Sequence, residues 1–351
     1  MKTHLCTLFN YKYLDKGLVL FDSLKRVSDS FVLYVLAMDD QCYEVLKDQN
    51  EQALIPIKLS DFENERLLTA KSNRTFGEYC WTCSSSLIKY VLDTYNPECC
   101  TYIDADMYFY SDPQVLIDEM YSKQASVLVV GHRFLKPLEK AFIKESGRYC
   151  VEFNTFRNDE NGRKLLDIWI NQCIECCTHE YGKYCGDQKY LDNWCADFDF
   201  VVETENLGAG VAPWNISQYR LSGNDNGIEI KYKRTKKVYK LVFYHYERIT
   251  YIDENTVNSN SYHYWGVDDD LVNITYRPYL YKIKEKKQEL KAQYGIDFIM
   301  KHHPAGAPNT LNISDRIKNL IKRVSMEGGL PFLFYSRIPS SIFGKKSILH
   351  I

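Results

Sequence analysis

The apolar run at residues 31–38, Phe-Val-Leu-Tyr-Val-Leu-Ala-Met, ends abruptly in Asp39-Asp40 and restricts the fold more than any other stretch of the chain. A strand with no polar residue on alternate positions has no face for water. Both of its sides are covered, and such strands belong to parallel sheets between two layers of helix. The pattern recurs. Residues 3–9 read as a strand, 17–26 as a helix, 43–47 as a short helical stretch and 53–59 as a strand. Residues 84–95 place Leu87, Ile88, Val91, Leu92 and Tyr95 on one helical face, with serines before them as caps. Strands follow at 99–104, 127–131 and 151–156, and a helix at 162–177. Asp112-Pro113 reads as the N-cap and first residue of another helix. A strand at 238–246 closes the domain. The expected fold class is α/β, with a mixed central sheet over residues 1–273. Beyond that point a Lys/Glu-rich helix at 279–294, a proline- and glycine-bearing loop and a basic tail predict a helical C-terminal extension, 274–351.

Composition narrows the function. The chain is 45% hydrophobic and 26% charged, ample for a core, and its net charge of -2 argues against a nucleic-acid binder. The 28 tyrosines suit either core packing or stacking on sugars and bases. Twelve cysteines behind an N-terminus with no signal-like stretch predict free thiols in a reducing, cytoplasmic setting. Cys80/Cys83 and Cys173/Cys176 have zinc-like spacing, but they sit in helical segments without glycine knuckles and read as thiols. No apolar run approaches a membrane span. At 313–324, Ile313, Ile317, Leu320, Ile321 and Val324 share a face flanked by Arg316, Lys318, Lys322 and Arg323. With the aromatic run at 330–335, this makes 313–346 a candidate for peripheral contact with the inner face of the plasma membrane, or else a helix packed on the main domain.

The densest chemistry lies in Tyr102-Ile103-Asp104-Ala105-Asp106-Met107-Tyr108-Phe109. Ligands of open parallel sheets bind beyond the carboxyl ends of the strands. Two carboxylates spaced i and i+2 there can reach one divalent cation, and without one they repel each other. His245 ends the apolar run 242–244, where a polar side chain needs a reason: a metal, or a satisfied structural histidine. Thr7, Asn10, Tyr13 and Asp39 stand near the ends of the first two strands, where a nucleotide would sit. Arg74 reads as a partner for a diphosphate or an acceptor, or as a solvated cation, and Gly186-Asp187-Gln188 as a plain helix start or a ligand loop.

Several blocks in order carry a resemblance. They are Thr7-Leu8-Phe9-Asn10 with Tyr13-Leu14 and Gly17-Leu18, Glu78-Tyr79-Cys80-Trp81-Thr82, Asp104-Ala105-Asp106, Phe156-Arg157-Asn158, Gly186-Asp187-Gln188-Lys189-Tyr190-Leu191, Ala212-Pro213-Trp214-Asn215 and Phe243-Tyr244-His245. Over roughly residues 3–250 the chain resembles bacterial glycosyltransferases of the GT-A fold, Rossmann-like nucleotide-diphospho-sugar transferases related to glycosyltransferase family 8. The resemblance implies a UDP-linked donor and a saccharide or lipid-linked acceptor in surface-polysaccharide synthesis. It implies a Mn²⁺ or Mg²⁺ site at Asp104, Asp106 and His245, with Ala105 against the nucleotide. Asp187 would hold sugar hydroxyls and Gln188 would face the anomeric carbon, with retention of configuration. Two carboxylates and an imidazole suit Mn²⁺ rather better than Mg²⁺. Where the family has an Asn and a Gly lining the sugar pocket, this chain has Cys150-Val151-Glu152-Phe153-Asn154, and Glu152 is expected toward the acceptor. A nucleotidyltransferase would share the acidic site but needs a glycine-rich phosphate loop, which residues 7–17 lack. A binding protein without turnover would not require Asp104, Asp106, Asp187 and His245 together.

Overall fold

The computed structural model describes residues 2–136, 138–224, 227–259, 269–298 and 348–350. The chain opens with β1 (Thr3–Phe9), α1 (Leu14–Val27), β2 (Phe31–Ala37), α2 (Asp40–Asp48) and β3 (Leu54–Lys58). Then come α3 (Phe76–Tyr95), β4 (Cys99–Ile103), β5 (Met107–Phe109), α4 (Gln114–Ser122), β6 (Val127–Gly131), β7 (Tyr149–Arg157), α5 (Glu160–Glu175) and β8 (Val201–Glu203). Seven of these strands form one sheet in the order β3-β2-β1-β4-β7-β6-β8. All pairs are parallel except those of β7, which runs against both β4 and β6. This is the α/β domain with a mixed central sheet that the GT-A resemblance implies.

All seven residues of β2 are buried, as the unbroken apolar run demands. Alternate side chains divide between two layers. Leu5, Phe9, Leu33 and Val35 pack with α1 and α2 on one face. Cys6, Leu8, Val32, Tyr34 and Leu36 pack with α3 and α5 on the other. Two expectations need correction. The serines at 84–86 do not start a helix: α3 begins eight residues earlier, where Thr75 and Glu78 form a reciprocal capping box, so Ser84 is interior. Nor is 238–246 one strand. Three strands, β9 (Tyr219–Asn224), β10 (Gly227–Tyr232) and β11 (Val238–Lys240), form a meander, and Leu241-Val242 then carries the chain into β12 (Phe243–His245), antiparallel to β5.

The tyrosines go mainly inward at this end. Tyr108, Tyr110, Tyr244, Tyr246, Tyr276 and Tyr279 are buried in a third cluster beside the meander, with Tyr246 stacked on Tyr279 at 3.8 Å between ring centres. A last small sheet joins β13 (Thr250–Asp253), β14 (Thr256–Asn258) and, after α6 (Arg277–Tyr294), the C-terminal β15 (Ile348–His350). α6 lies against the first layer: Lys286 pairs with Asp22 at 3.2 Å, and Leu290, Ile296 and Phe298 enter its core. The described tail is thus partly strand as well as helix. The amphipathic stretch at 313–346 lies outside the described residues. All twelve cysteines are free thiols, and among the described residues no helix is long and apolar enough to cross a membrane.

Candidate metal and donor site

β4 ends at Ile103, so Asp104-Ala105-Asp106 forms the turn into β5 at the carboxyl edge of the sheet. β12 lies along β5 in the register His245↔Met107, which brings the histidine over that turn. Its Nε2 is 3.1 Å from Asp106 Oδ1 and 3.7 Å from Asp104 Oδ2. The other ring nitrogen, Nδ1, is 2.6 Å from Glu152 Oε2. Glu152 comes from β7, and its position follows from the one reversed strand. Because β7 runs against β4, its early residues reach the same sheet edge, and Asp104 donates its backbone N–H to the Glu152 carbonyl at 3.3 Å. β7 also bulges there. Its partners on β6 step from Val130, opposite Cys150, to Leu128, opposite Thr155, and Glu152 falls in the irregular stretch between. Bulges of this kind re-aim side chains beside functional sites.

The four groups are graded from solvent to interior. Side-chain exposure is 31% for Asp104, 14% for Asp106, 7% for His245 and 0% for Glu152. A ligand arriving from outside therefore meets Asp104 and Asp106 first, and Glu152, expected toward the acceptor, lies behind the imidazole. The two aspartates are electrostatically unequal. Burial lifts the Asp104 carboxyl to about 7, helped by the charges of Asp106 and Glu152 and opposed by His245. Burial also pushes Asp106 upward, but His245 and the buried Lys16 outweigh it and leave that carboxyl below its ordinary value. Burial pulls the His245 imidazole down, while Asp106, Cys150 and Glu152 together raise it well above the usual range.

Cys150, Glu152 and His245 also offer ligand atoms within 4.8 Å of one another. However, 2.6 Å between Nδ1 and Oε2 is the span of a charge-assisted hydrogen bond. Two atoms bound to one ion at about 2.1 Å lie farther apart than that. A proton, not a metal, belongs on this side of the ring.

Across from the aspartates, Gly186 adopts φ +55° and lies against the Trp81 ring. The turn it makes buries Asp187, whose Oδ2 accepts from Ser84 Oγ at 2.5 Å. Burial lifts this carboxyl to about 7 as well, with Asp104 adding to the rise. Gln188 donates its amide N–H to the Ser146 carbonyl at 2.7 Å. Asn154 is buried with neither its amide nitrogen nor its oxygen hydrogen-bonded among the described residues, a condition that calls for a polar ligand or water. Ser84, Asn154 and Lys16 were passed over in the sequence. The signals were a serine inside an apolar helix, an amide inside an apolar strand and a lysine one turn past Tyr13.

The remaining candidates are less closely joined to this site. Thr7 is inside β1, fully buried, with no partner for its hydroxyl among the described residues. Asn10 accepts from the Lys12 N–H, and Tyr13 stays 38% exposed with the Lys16 ammonium 3.9 Å from its ring centre. Asp39 is spent on backbone: Oδ1 accepts from Cys42 N–H at 2.7 Å and Oδ2 from Tyr11 N–H at 3.1 Å. Arg74 precedes α3 and donates to Asn73 and to the Ile174 carbonyl. The helix rises about 12 Å from Phe76 to Ser84, and Arg74 lies before its start.

No family model matches the chain. It is 30% identical over 306 residues to the uncharacterized protein YfnD of Bacillus subtilis, covering 85% of this chain and 95% of that one. To the uncharacterized protein YfnF of the same organism it is 32% identical over 265 residues, covering 72% and 84%. Among solved structures it is similar to the galactosyltransferase LgtC in complex with donor and acceptor sugar analogs, at 10% identity and a TM-score of 0.49, over 81% of this chain and 96% of that chain. It is similar also to mouse xyloside xylosyltransferase 1, at 11% identity and a TM-score of 0.45, over 70% and 97%.

Proposed function

The chain belongs to the family that includes YfnD and YfnF of Bacillus subtilis, and for it we propose metal-dependent glycosyl transfer from a nucleotide-diphosphate sugar, UDP-linked, to a saccharide or lipid-linked saccharide acceptor in bacterial surface-polysaccharide synthesis. The observation that carries the reading is the convergence of Asp104, Asp106 and His245 Nε2 at one strand end. The residues fit a divalent cation: hard carboxylate oxygens and one imidazole nitrogen suit Mn²⁺ or Mg²⁺, and the aspartates keep the side that faces solvent. Bound there, the cation supplies positive charge where the departing nucleoside diphosphate becomes negative.

The chain's own residues do the rest. Asp104 and Asp106 aim their oxygens at the diphosphate side, and Lys16 adds fixed positive charge near Asp106. Asp187, braced by Ser84, and the unsatisfied amide of Asn154 are the polar groups for donor-sugar hydroxyls. Gln188, whose amide N–H is held by the Ser146 carbonyl, is the residue assigned to the anomeric carbon in this reading. Tyr13, exposed at the end of β1, and Asn10 serve the nucleotide. An inverting enzyme needs a carboxylate base toward the acceptor, and the burial of Glu152 behind His245 supports retention.

The test uses the full chain with a panel of nucleotide sugars and Mn²⁺, following release of the nucleoside diphosphate. Slow hydrolysis of a UDP-sugar that stops on chelation is the expected result. A ligand at one hundred times its Kd adds about 2.7 kcal/mol of stability, so a thermal shift accompanies it. Neither hydrolysis nor a shift with any nucleotide sugar, with or without Mn²⁺, would sink the reading. If an α-linked donor yields a β-linked product by NMR, retention falls alone.

A further inference from the structure

A carboxylate with no exposure is costly unless a partner takes its charge, and the partner of Glu152 is the imidazole of His245. We propose that Glu152 is the positioning residue of the metal site: it accepts the Nδ1 proton of His245 and thereby turns Nε2 toward Asp104 and Asp106. The inference rests on the metal reading above and adds to it a residue that acts through His245.

Three observations carry it. The 2.6 Å Nδ1–Oε2 distance is that of a strong, charge-assisted hydrogen bond. An imidazole whose Nδ1 is held by a carboxylate can present only Nε2 to a cation, and ligating histidines are commonly fixed in this way. Second, Glu152 reaches the site twice. Its backbone carbonyl accepts the Asp104 N–H at 3.3 Å while its side chain holds His245, so one residue sets the position of ligands from two different strands. Third, the irregular stretch of β7 between Cys150 and Thr155 places Glu152 at this edge, and the Trp214 ring stands edge-on to the imidazole, 5.4 Å between centres, limiting its rotation. The other oxygen of Glu152, Oε1, is buried without a hydrogen-bond partner among the described residues, so the imidazole is the side chain that takes its charge.

The experiment measures Mn²⁺ affinity of the full chain without nucleotide, from the electron paramagnetic resonance signal of free Mn²⁺. The proteins compared are wild type, Glu152→Leu, Glu152→Gln, His245→Ala and the Glu152→Leu/His245→Ala double variant, each first checked for a cooperative melt. Glu152→Leu should weaken Mn²⁺ by about 10–100-fold, as loss of such an outer partner does elsewhere, and Glu152→Gln by less because it keeps an acceptor oxygen. In the His245→Ala background, Glu152→Leu should cost nothing more, since its effect passes through the ring. Unchanged affinity in Glu152→Leu overturns the proposal, as does a double variant that loses the product of both single factors. If Glu152→Leu fails to fold, Glu152→Gln decides, and wild-type affinity there overturns it. A wild type that binds no Mn²⁺ sinks the metal reading and this inference together, whereas tight binding unaffected by Glu152 sinks this inference alone.

Discussion

Two strand ends of the same sheet look alike in sequence and differ in the fold. β2 runs into Met38-Asp39-Asp40 and β4 into Asp104-Ala105-Asp106. At the first, Asp39 gives both oxygens to backbone N–H groups, and Asp40 stands in water with 86% of its side chain exposed, 3.8 Å from Lys58. At the second, the carboxylates face an imidazole whose far side is held by a third acid. An acidic strand end is therefore not yet a site. What separates the two is whether the oxygens are consumed by local turns or left for something that arrives.

The largest effect expected of this difference is on turnover. Asp104→Asn and Asp106→Asn should each reduce nucleotide-sugar cleavage on the order of 10²–10³-fold, the usual cost of losing one charge-stabilising group. Asp39→Ala should leave kcat within about twofold. It should instead lower stability by about 1–2 kcal/mol, since it removes an N-cap and the tie to Tyr11. Denaturant melts alongside nucleotide release measure both. An Asp39 variant that melts like wild type yet fails to bind nucleotide would erase the contrast.

A subtler division lies within the Asp104/Asp106 pair. The Asp104 carboxyl sits near 7 in the fold against about 3.8 when unfolded. Its contribution to stability is fully present below pH 3.8 and is lost as pH rises through 7. Asp106 is depressed, so its contribution is present above 3.8 and lost as pH falls through its folded value. Without metal, Asp104→Asn should raise the melting temperature at pH 8 and change little at pH 3.5, while Asp106→Asn should lower it at pH 8. Asp187→Asn should follow Asp104, since burial lifts Asp187 to about 7 too. Equal shifts for Asp104 and Asp106 at pH 8 would mean that His245 does not discriminate between them.

Much of this was legible before folding was considered. Unbroken apolar runs revealed the parallel strands, because burial on two faces leaves no room for alternation. His245 stood out as the polar end of an apolar strand. Most of the misses come from interactions between residues far apart in sequence, and one was local. Serines at 84–86 were assigned to a cap by local logic, although Thr75-Phe76-Gly77-Glu78 carries the capping-box pattern and could have been found. Ser84 gains its role from Asp187, 103 residues away. Glu152 could not be placed from sequence, since its aim depends on a strand reversal and a bulge. The break at Leu241-Val242 left no mark in hydrophobicity, because these two residues are themselves apolar and buried and run on into Phe243-Tyr244.

The smallest expected effect concerns Arg74, the one cation singled out in the sequence for the diphosphate or the acceptor. Its guanidinium donates to the Asn73 side chain at 2.8 Å and to the Ile174 carbonyl at 3.0 Å, near the C-terminal end of α5. The second bond ties the entry of α3 to α5, and both are spent on protein groups, while the buried Nε has no hydrogen-bond partner among the described residues. Arg74→Ala should therefore cost about 1 kcal/mol or less, the net worth of a partly solvated hydrogen bond. It should leave KM for the nucleotide sugar and the salt dependence of binding unchanged, because no phosphate contact is removed. Steady-state kinetics at two ionic strengths make the comparison. A KM increase of tenfold or more that fades with added salt would show that the loop before α3 swings Arg74 onto the diphosphate when the donor binds. The division between consumed and available charges would then have to be drawn on the liganded state.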